Sequence, residues 1–366
     1  MMFEQRVQAV ENFGFTERQA RFLVMVMLNG GVCVPRQYAA FIGTAYGRNV
    51  NAFFDKLVGQ GFAVECSCVH NRARVYQVRY QPLYEAIGEP SSPNRKPIAA
   101  ASVIQRLMLL DAIVAQRELV LLSTAADKVA FFIVTCSCPP EHLPHKTVGV
   151  GANRRVQQFP DGMPIRVEGN GHPVFVFLIS DWDIDELRAF LQRHADLLGS
   201  LPRWTLRIVL PPHLATLKPS VEAVVRDELA NPISSMALAE LRWHFEQRRD
   251  QRSAKTSADA DRFRRTQRAF AAKRWRLLFR RWLSDGDRAL NVATSPLMGD
   301  ALKHGDAKIQ IDILRHSYRH LSPLAGLIRA RLRGVENCER TLGRPQPPTS
   351  TRGAAFSAAL EGGSEW

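Results

Sequence analysis

The stretch that decides the fold is TERQARFLVMVMLNGGVCVPRQYAAFIGTAYGRNVNAFFDKLVGQGFAVECSCVHNRARVYQVR, residues 16–79. Thr16-Glu17-Arg18-Gln19 has the form of a capping box, in which a Thr hydroxyl and a Gln amide satisfy the free N–H groups at a helix start. It opens an apolar helix from Glu17 to about Leu28, and Gly30-Gly31 stops it. Pro35 suits the first turn of a second helix, Pro35 to Ile42. After the turn 43–47, a third helix runs from Arg48 to Gln60, with Val50, Phe53, Phe54 and Leu57 at helical spacing. Two strand-like runs follow, Phe62–Val69 and Ala73–Arg79, joined by His70-Asn71-Arg72. Three short helices and a hairpin in this order predict a winged helix-turn-helix over residues 1–88.

In such a domain the third helix is the usual groove reader. Its polar positions Arg48, Asn49, Asn51 and Lys56 carry donors suited to phosphates and base edges. Arg72 and Arg74 would place cations on the wing. Double-stranded DNA is the expected partner. A winged helix used for contact with another protein is the alternative, against which the basic tip and basic third helix speak.

Working outward, EPSSPNRKP (89–97) is polar with three prolines and reads as a linker. Residues 98–235 mix helix-like and strand-like patterns. They include a helix over Ala101–Ala115, a strand over Met163–Val167, a Gly169-Asn170-Gly171 turn and the buried-strand run Val174–Ile179. An amphipathic helix over Asp183–Leu198, a strand over Trp204–Leu210 and a helix over Val221–Leu229 complete a small α/β unit. The fold class is therefore mixed α/β. Residues 236–340 read almost wholly helical and basic. The Pro/Gly/Ser-rich end, 341–366, reads as a disordered tail.

A winged helix followed by Pro160-Asp161, a hairpin, a buried strand, a helix and a strand resembles the replication-relaxation family over roughly residues 10–215. That family accompanies plasmids and other mobile elements. It is similar to conjugative relaxases of the mobilisation-protein C class, whose core has a restriction-endonuclease-like fold. The resemblance implies a DNA-binding protein of a mobile element, with other proteins of the element as further partners. It also places the acid of the family's nuclease motif on Asp161. In active members the next strand supplies a second acid and then an acid or Lys, but Phe175-Val176-Phe177-Leu178-Ile179 supplies neither. A Mg²⁺ ion engaged in phosphodiester cleavage needs two or three oxygen ligands. Asp181 lies past the strand, and Asp111 is the only acid on the preceding helix. The expectation is a nuclease-like scaffold without catalysis and without a cofactor. The competing reading is a metal-dependent nickase using Asp161 and Asp181. A third is a subunit of a larger nucleoprotein assembly.

Electrostatics point the same way. The 366 residues carry a formal net charge of +14, which favours a polyanionic partner. Residues 242–281 hold fourteen Lys and Arg against four acids. Arg264, Arg265, Arg268, Arg274 and Arg276 are the candidate DNA contacts there, and the interleaved aromatics read as core. Cys136, Cys138, His142 and His145 could offer zinc ligands, but the spacing is not that of a standard finger and no metal is expected. There is no phosphate-loop string. The start reads as no signal peptide, and six scattered cysteines suit a cytoplasmic chain with no membrane segment. Oligomeric state is not legible.

Overall fold

The structure is a computed structural model. It describes residues 1–67, 74–96, 98, 100–116, 120–149, 153–230, 233–250, 257–295, 297–316 and 318. It is a mixed α/β protein.

Helix α1 (Phe3–Glu11) precedes α2 (Glu17–Leu28). The Thr16 hydroxyl accepts from Gln19 N at 3.4 Å, and the Gln19 side chain accepts from Thr16 N at 3.1 Å. After α2 the chain passes through Gly31, whose φ is +73° and where an added Cβ would lie 2.5 Å from the Asn94 carbonyl oxygen. Only glycine allows that turn and that close approach. Strand β1 (Val32–Cys33) leads into α3 (Pro35–Ile42), α4 (Arg48–Gly59) and the strands β2 (Ala63–Ser67) and β3 (Arg74–Val78). The three strands form an antiparallel sheet in the order β1-β3-β2. Packed aromatic rings fill the space between helices and sheet. Tyr38 and Phe53 have centroids 4.2 Å apart, and Phe54 and Tyr76 4.4 Å. Helix α5 (Gln81–Ala86) packs under α1, with Leu83 and Tyr84 fully buried.

The segment expected as a linker is tied down: Gln77 donates to Lys96 O at 2.7 Å, and Asn94 donates to Met27 O at 2.9 Å. Helix α6 (Ala100–Val114) then lies between two layers. Its Leu107, Met108 and Ala112 share one core with Val32, Val34 and Val75 of the N-terminal unit and with Val176, Leu178 and Val209 of the next sheet.

That second sheet is built from β4 (Val120–Leu122), then, past α7 (Ala125–Ala130), a π-helical turn Phe131–Thr135 and the separate ribbon β5 (His145–Val148) and β6 (Arg155–Gln158), from β7 (Ile165–Val167) and β8 (Pro173–Leu178). Helix α8 (Asp185–Ser200) crosses to β9 (Trp204–Leu210). Helices α9 (Lys218–Val225), α10 (Ser235–Asp250), α11 (Ser257–Ala269), α12 (Lys273–Asp285), α13 (Asp287–Thr294) and α14 (Leu297–His304) precede β10 (Ala307–Ile313). The order is β10-β9-β8-β7-β4. Strand β7 is antiparallel to both of its neighbours, β4 and β8, and β8, β9 and β10 are parallel. Helices cover both faces of the sheet, so all six residues of β8 are buried and no polar alternation survives. Phe175 and Phe177 face α8, while Val176 and Leu178 face α6. Arg166 and Arg207 reach from the sheet to the last carbonyls of α6, Ile113 O and Ala112 O, both at 3.0 Å. Cations at a helix C-terminus offset its dipole.

One expectation needs correction. Residues 236–340, expected to be almost wholly helical, also supply a strand: β10 completes the central sheet by pairing along its whole length with β9.

Candidate nucleic-acid interface

Helix α4 is split cleanly by its own sequence. Val50, Phe53, Phe54 and Leu57 are buried, and Arg48, Asn49, Asn51, Ala52 and Asp55 are exposed. The buried face locks the helix onto α2, α3 and the sheet, so its polar face is held rigidly outward. Arg48 and Asn49 stand in its first turn, directly after Gly47.

Lys56 does not join them. Its ammonium donates to the Gly14 carbonyl and sits 4.7 Å from the Phe15 ring centroid, which pins it to the loop between α1 and α2. The sequence shows its charge but not this turn. On the wing, Arg74 is exposed and pairs with Glu65 across the strands at 3.2 Å. Such a surface pair contributes little to stability. Arg72, with His70 and Asn71, lies outside the described residues.

The basic C-terminal helices divide into structural and exposed cations. Phe245, Phe279 and Trp282 are core residues. Arg248 stacks on Phe279 at 4.4 Å, and Arg249 on Trp282 at 5.2 Å. Arg262 is held by Glu240 at 2.6 Å and by the Trp243 ring at 4.2 Å. Arg274 is also structural: it is largely buried, near Glu228 at 3.8 Å and over Trp275 at 5.0 Å. Its guanidinium is turned into the protein and is not presented to DNA. Arg264, Arg265, Arg268 and Arg276 are exposed, with Arg264 paired to Asp261 at 2.5 Å. Arg252 and Lys255 lie outside the described residues.

The acids named as possible metal ligands are placed apart in function. Asp161 is bonded to Arg193, and its Oδ2 is 3.8 Å from His194 Nδ1. His194 is buried, and its Nδ1–H donates to the backbone carbonyl of Phe190 at 3.0 Å. Burial pushes its pKa down to about 3, so at neutral pH the ring is uncharged and the approach to Asp161 is no ion pair. Beside them Lys128, pushed down to about 8 by burial, donates to Met163 O at 2.6 Å. Asp181 is exposed after β8 and accepts from Trp182 N at 2.6 Å. Asp111 is consumed by Arg36, Gln37 and Tyr318. Of the zinc candidates, Cys138 Sγ lies 3.2 Å from the Ser200 hydroxyl, Cys136 and His142 are half-buried, and His145 is exposed with its Nδ1 3.1 Å from Leu143 O. Among the described residues, no three His, Cys, Asp or Glu side chains gather as a metal-ligand set.

A feature that no contiguous stretch of sequence announces is a cleft of about 820 Å³ between the β5–β6 ribbon, α8 and α12. It brings together Lys146, Arg154, Arg193, Arg280 and Arg281. Comparison with protein-family models, with curated proteins and with solved structures finds no match for the chain. Among the described residues, no helix is long and apolar enough to cross a membrane.

Proposed function

We propose that this chain binds duplex DNA through an N-terminal winged helix, with α4 entering the major groove. The observation that carries this reading is the division of α4: one face fully buried against an aromatic core, the other presenting Arg48, Asn49 and Asn51. An α-helix fits the major groove. There an Arg fork matches the acceptors of guanine and an Asn amide matches adenine. The hairpin β2–β3 stands next to it in the chain, as a wing does. Exposed arginines on α11 and α12 add contacts to phosphates without regard to sequence.

The second sheet supports the endonuclease-like part of the reading. Helix α6, the strands β4, β7 and β8 paired antiparallel in turn, crossover helix α8 and the parallel strand β9 occur in this chain order, with α7 and the β5–β6 ribbon inserted after β4. Its central strand β8 offers only apolar side chains, and Asp161 is engaged by Arg193. The role we assign to the chain is therefore binding: a regulator or accessory factor in the transfer or recombination of a mobile element.

The test is selection of bound sites from a random duplex pool. The wild type should enrich one motif. Replacing Arg48, Asn49 and Asn51 together by Ala should abolish that enrichment, since each base contact contributes about 1–3 kcal/mol, roughly 5- to 150-fold. A triple variant that enriches the same motif to the same degree would refute the assignment of α4.

A further inference from the structure

We propose that the cleft between the β5–β6 ribbon, α8 and α12 is a second DNA-binding site, which grips the phosphate backbone of the duplex. This rests on the duplex-binding reading and adds a surface to it.

The floor and the rim of the cleft differ. At the floor, Arg193 and Arg281 are held in place from behind: Arg193 by Asp161, and Arg281 by Asp196 at 3.2 Å and by the Gln192 carbonyl. Arg281 is largely buried and Arg193 half-buried. They lie close enough that burial and then the charge of Arg281 both lower the Arg193 pKa. Both guanidiniums already have carboxylate partners, so they shape the floor and leave its charge close to balanced. Among the described residues the one carboxylate lining the cleft, Asp285, is occupied by Arg281 at 3.1 Å.

At the rim, Lys146 on β5, Arg154 beside β6 and Arg280 on α12 are exposed. Among the described residues none of the three has a carboxylate partner. A surface cation without a partner usually reflects solvation alone. Three of them around one cleft, over a floor whose arginines are already paired, form a basic rim that attracts a polyanion.

The lining also selects the form of the ligand. Among the described residues, no Phe, Tyr or Trp lines the cleft. Single-stranded nucleic acid is held chiefly by stacking of its bases on such rings. A site with cations and no ring suits the outside of a duplex, where bases are already stacked and only phosphates are presented.

The experiment reads fluorescence anisotropy of a labelled random-sequence duplex over a range of salt concentrations, on the full chain. Lys146→Glu, Arg154→Glu and Arg280→Glu are combined, leaving Arg193 and Arg281 untouched because they also hold the fold. The expected result is at least an about tenfold loss of affinity near 0.1 M salt, with the slope of log K against log salt flattened by about three units. The Gln versions of the three should flatten the slope similarly with a smaller loss of affinity. They stand in if the Glu variant loses its circular dichroism signature. Unchanged affinity and slope in a folded variant would overturn the proposal. So would a loss confined to a single-stranded probe of equal length.

The Arg48/Asn49/Asn51 variant run beside it separates the two claims. If that variant alone loses the selected motif and the cleft variant binds like wild type, the cleft proposal fails and the α4 reading stands. If the cleft variant alone loses affinity and the α4 variant still selects the motif, the α4 reading fails and the cleft stands.

Discussion

Asp111→Ala is expected to destabilise the protein by about 3 kcal/mol, the lower end of the range for breaking a buried ion pair. Asp111 receives both guanidinium nitrogens of Arg36, at 3.0 and 2.8 Å, the Gln37 amide at 2.8 Å and the Tyr318 hydroxyl. Burial raises the Tyr318 pKa, so the phenol remains a donor. Without the carboxylate, Gln37 and Tyr318 each keep a bond to Leu107 O, at 2.7 and 2.9 Å. Arg36 is left as a half-buried cation without its carboxylate, and that is where the cost arises. Arg36 belongs to α3, Asp111 to α6 and Tyr318 to the chain after β10, so this one carboxylate joins three parts of the molecule. Urea denaturation checks the prediction. Adding Arg36→Met to Asp111→Ala should recover part of the loss, because the stranded charge is then gone. A loss below about 1 kcal/mol in the single variant would show that the network contributes no more than a surface pair.

Acid should weaken the fold before its carboxylates titrate. His194 is ordinarily protonated near pH 6.5 in an unfolded chain, but burial foremost, with Arg193, Lys128 and Arg281 adding to it, holds the folded pKa at about 3. Its Phe190 carbonyl partner opposes the shift without cancelling it. The folded state therefore binds fewer protons than the unfolded state between these values. Stability is lost as pH falls through 6.5 towards 3 and is fully present above 6.5. Between pH 6.5 and 5 the loss should come to about 2 kcal/mol, from about 1.4 kcal/mol per pH unit. His244, whose pKa is also lowered by burial and by Arg248, acts in the same direction. His194→Gln should be less stable than wild type at pH 7.5, yet show a flatter decline down to pH 5. An equally steep decline would mean that the titrating group lies elsewhere.

The N-terminal unit was legible because its punctuation is local. A Thr-x-x-Gln cap, a proline at a first turn and glycines at the stops mark α2, α3 and α4 to within a residue or two. Helices α1 and α5 escaped notice: each is short and contributes only two or three core side chains, such as Val7, Val10, Leu83 and Tyr84. Strand β10 had a signal, the alternation AKIQIDI. It sits at the sheet edge with exposed polar positions and follows a long run of helices, so its partner β9 lies about a hundred residues upstream. Charge was legible in the sequence and its use was not. Lys56 and Arg274 count as cations in any sum, yet each is spent on internal contacts whose partners are remote in the chain. The converse holds for the cleft, where Lys146 and Arg154 meet Arg280 only because α12 packs on α8.

The central claim is that the exposed face of α4 lies against duplex DNA, and photo-crosslinking tests it most directly. A benzophenone-bearing residue is introduced at Ala52, exposed in the middle of that face, and separately at Glu222, exposed on α9. Each protein is irradiated with a labelled duplex at a concentration where the wild type is bound. A covalent product is expected from position 52 and not from position 222. Bound DNA that crosslinks from 222 but not from 52, or a duplex that the wild type fails to bind at low salt, would contradict the account.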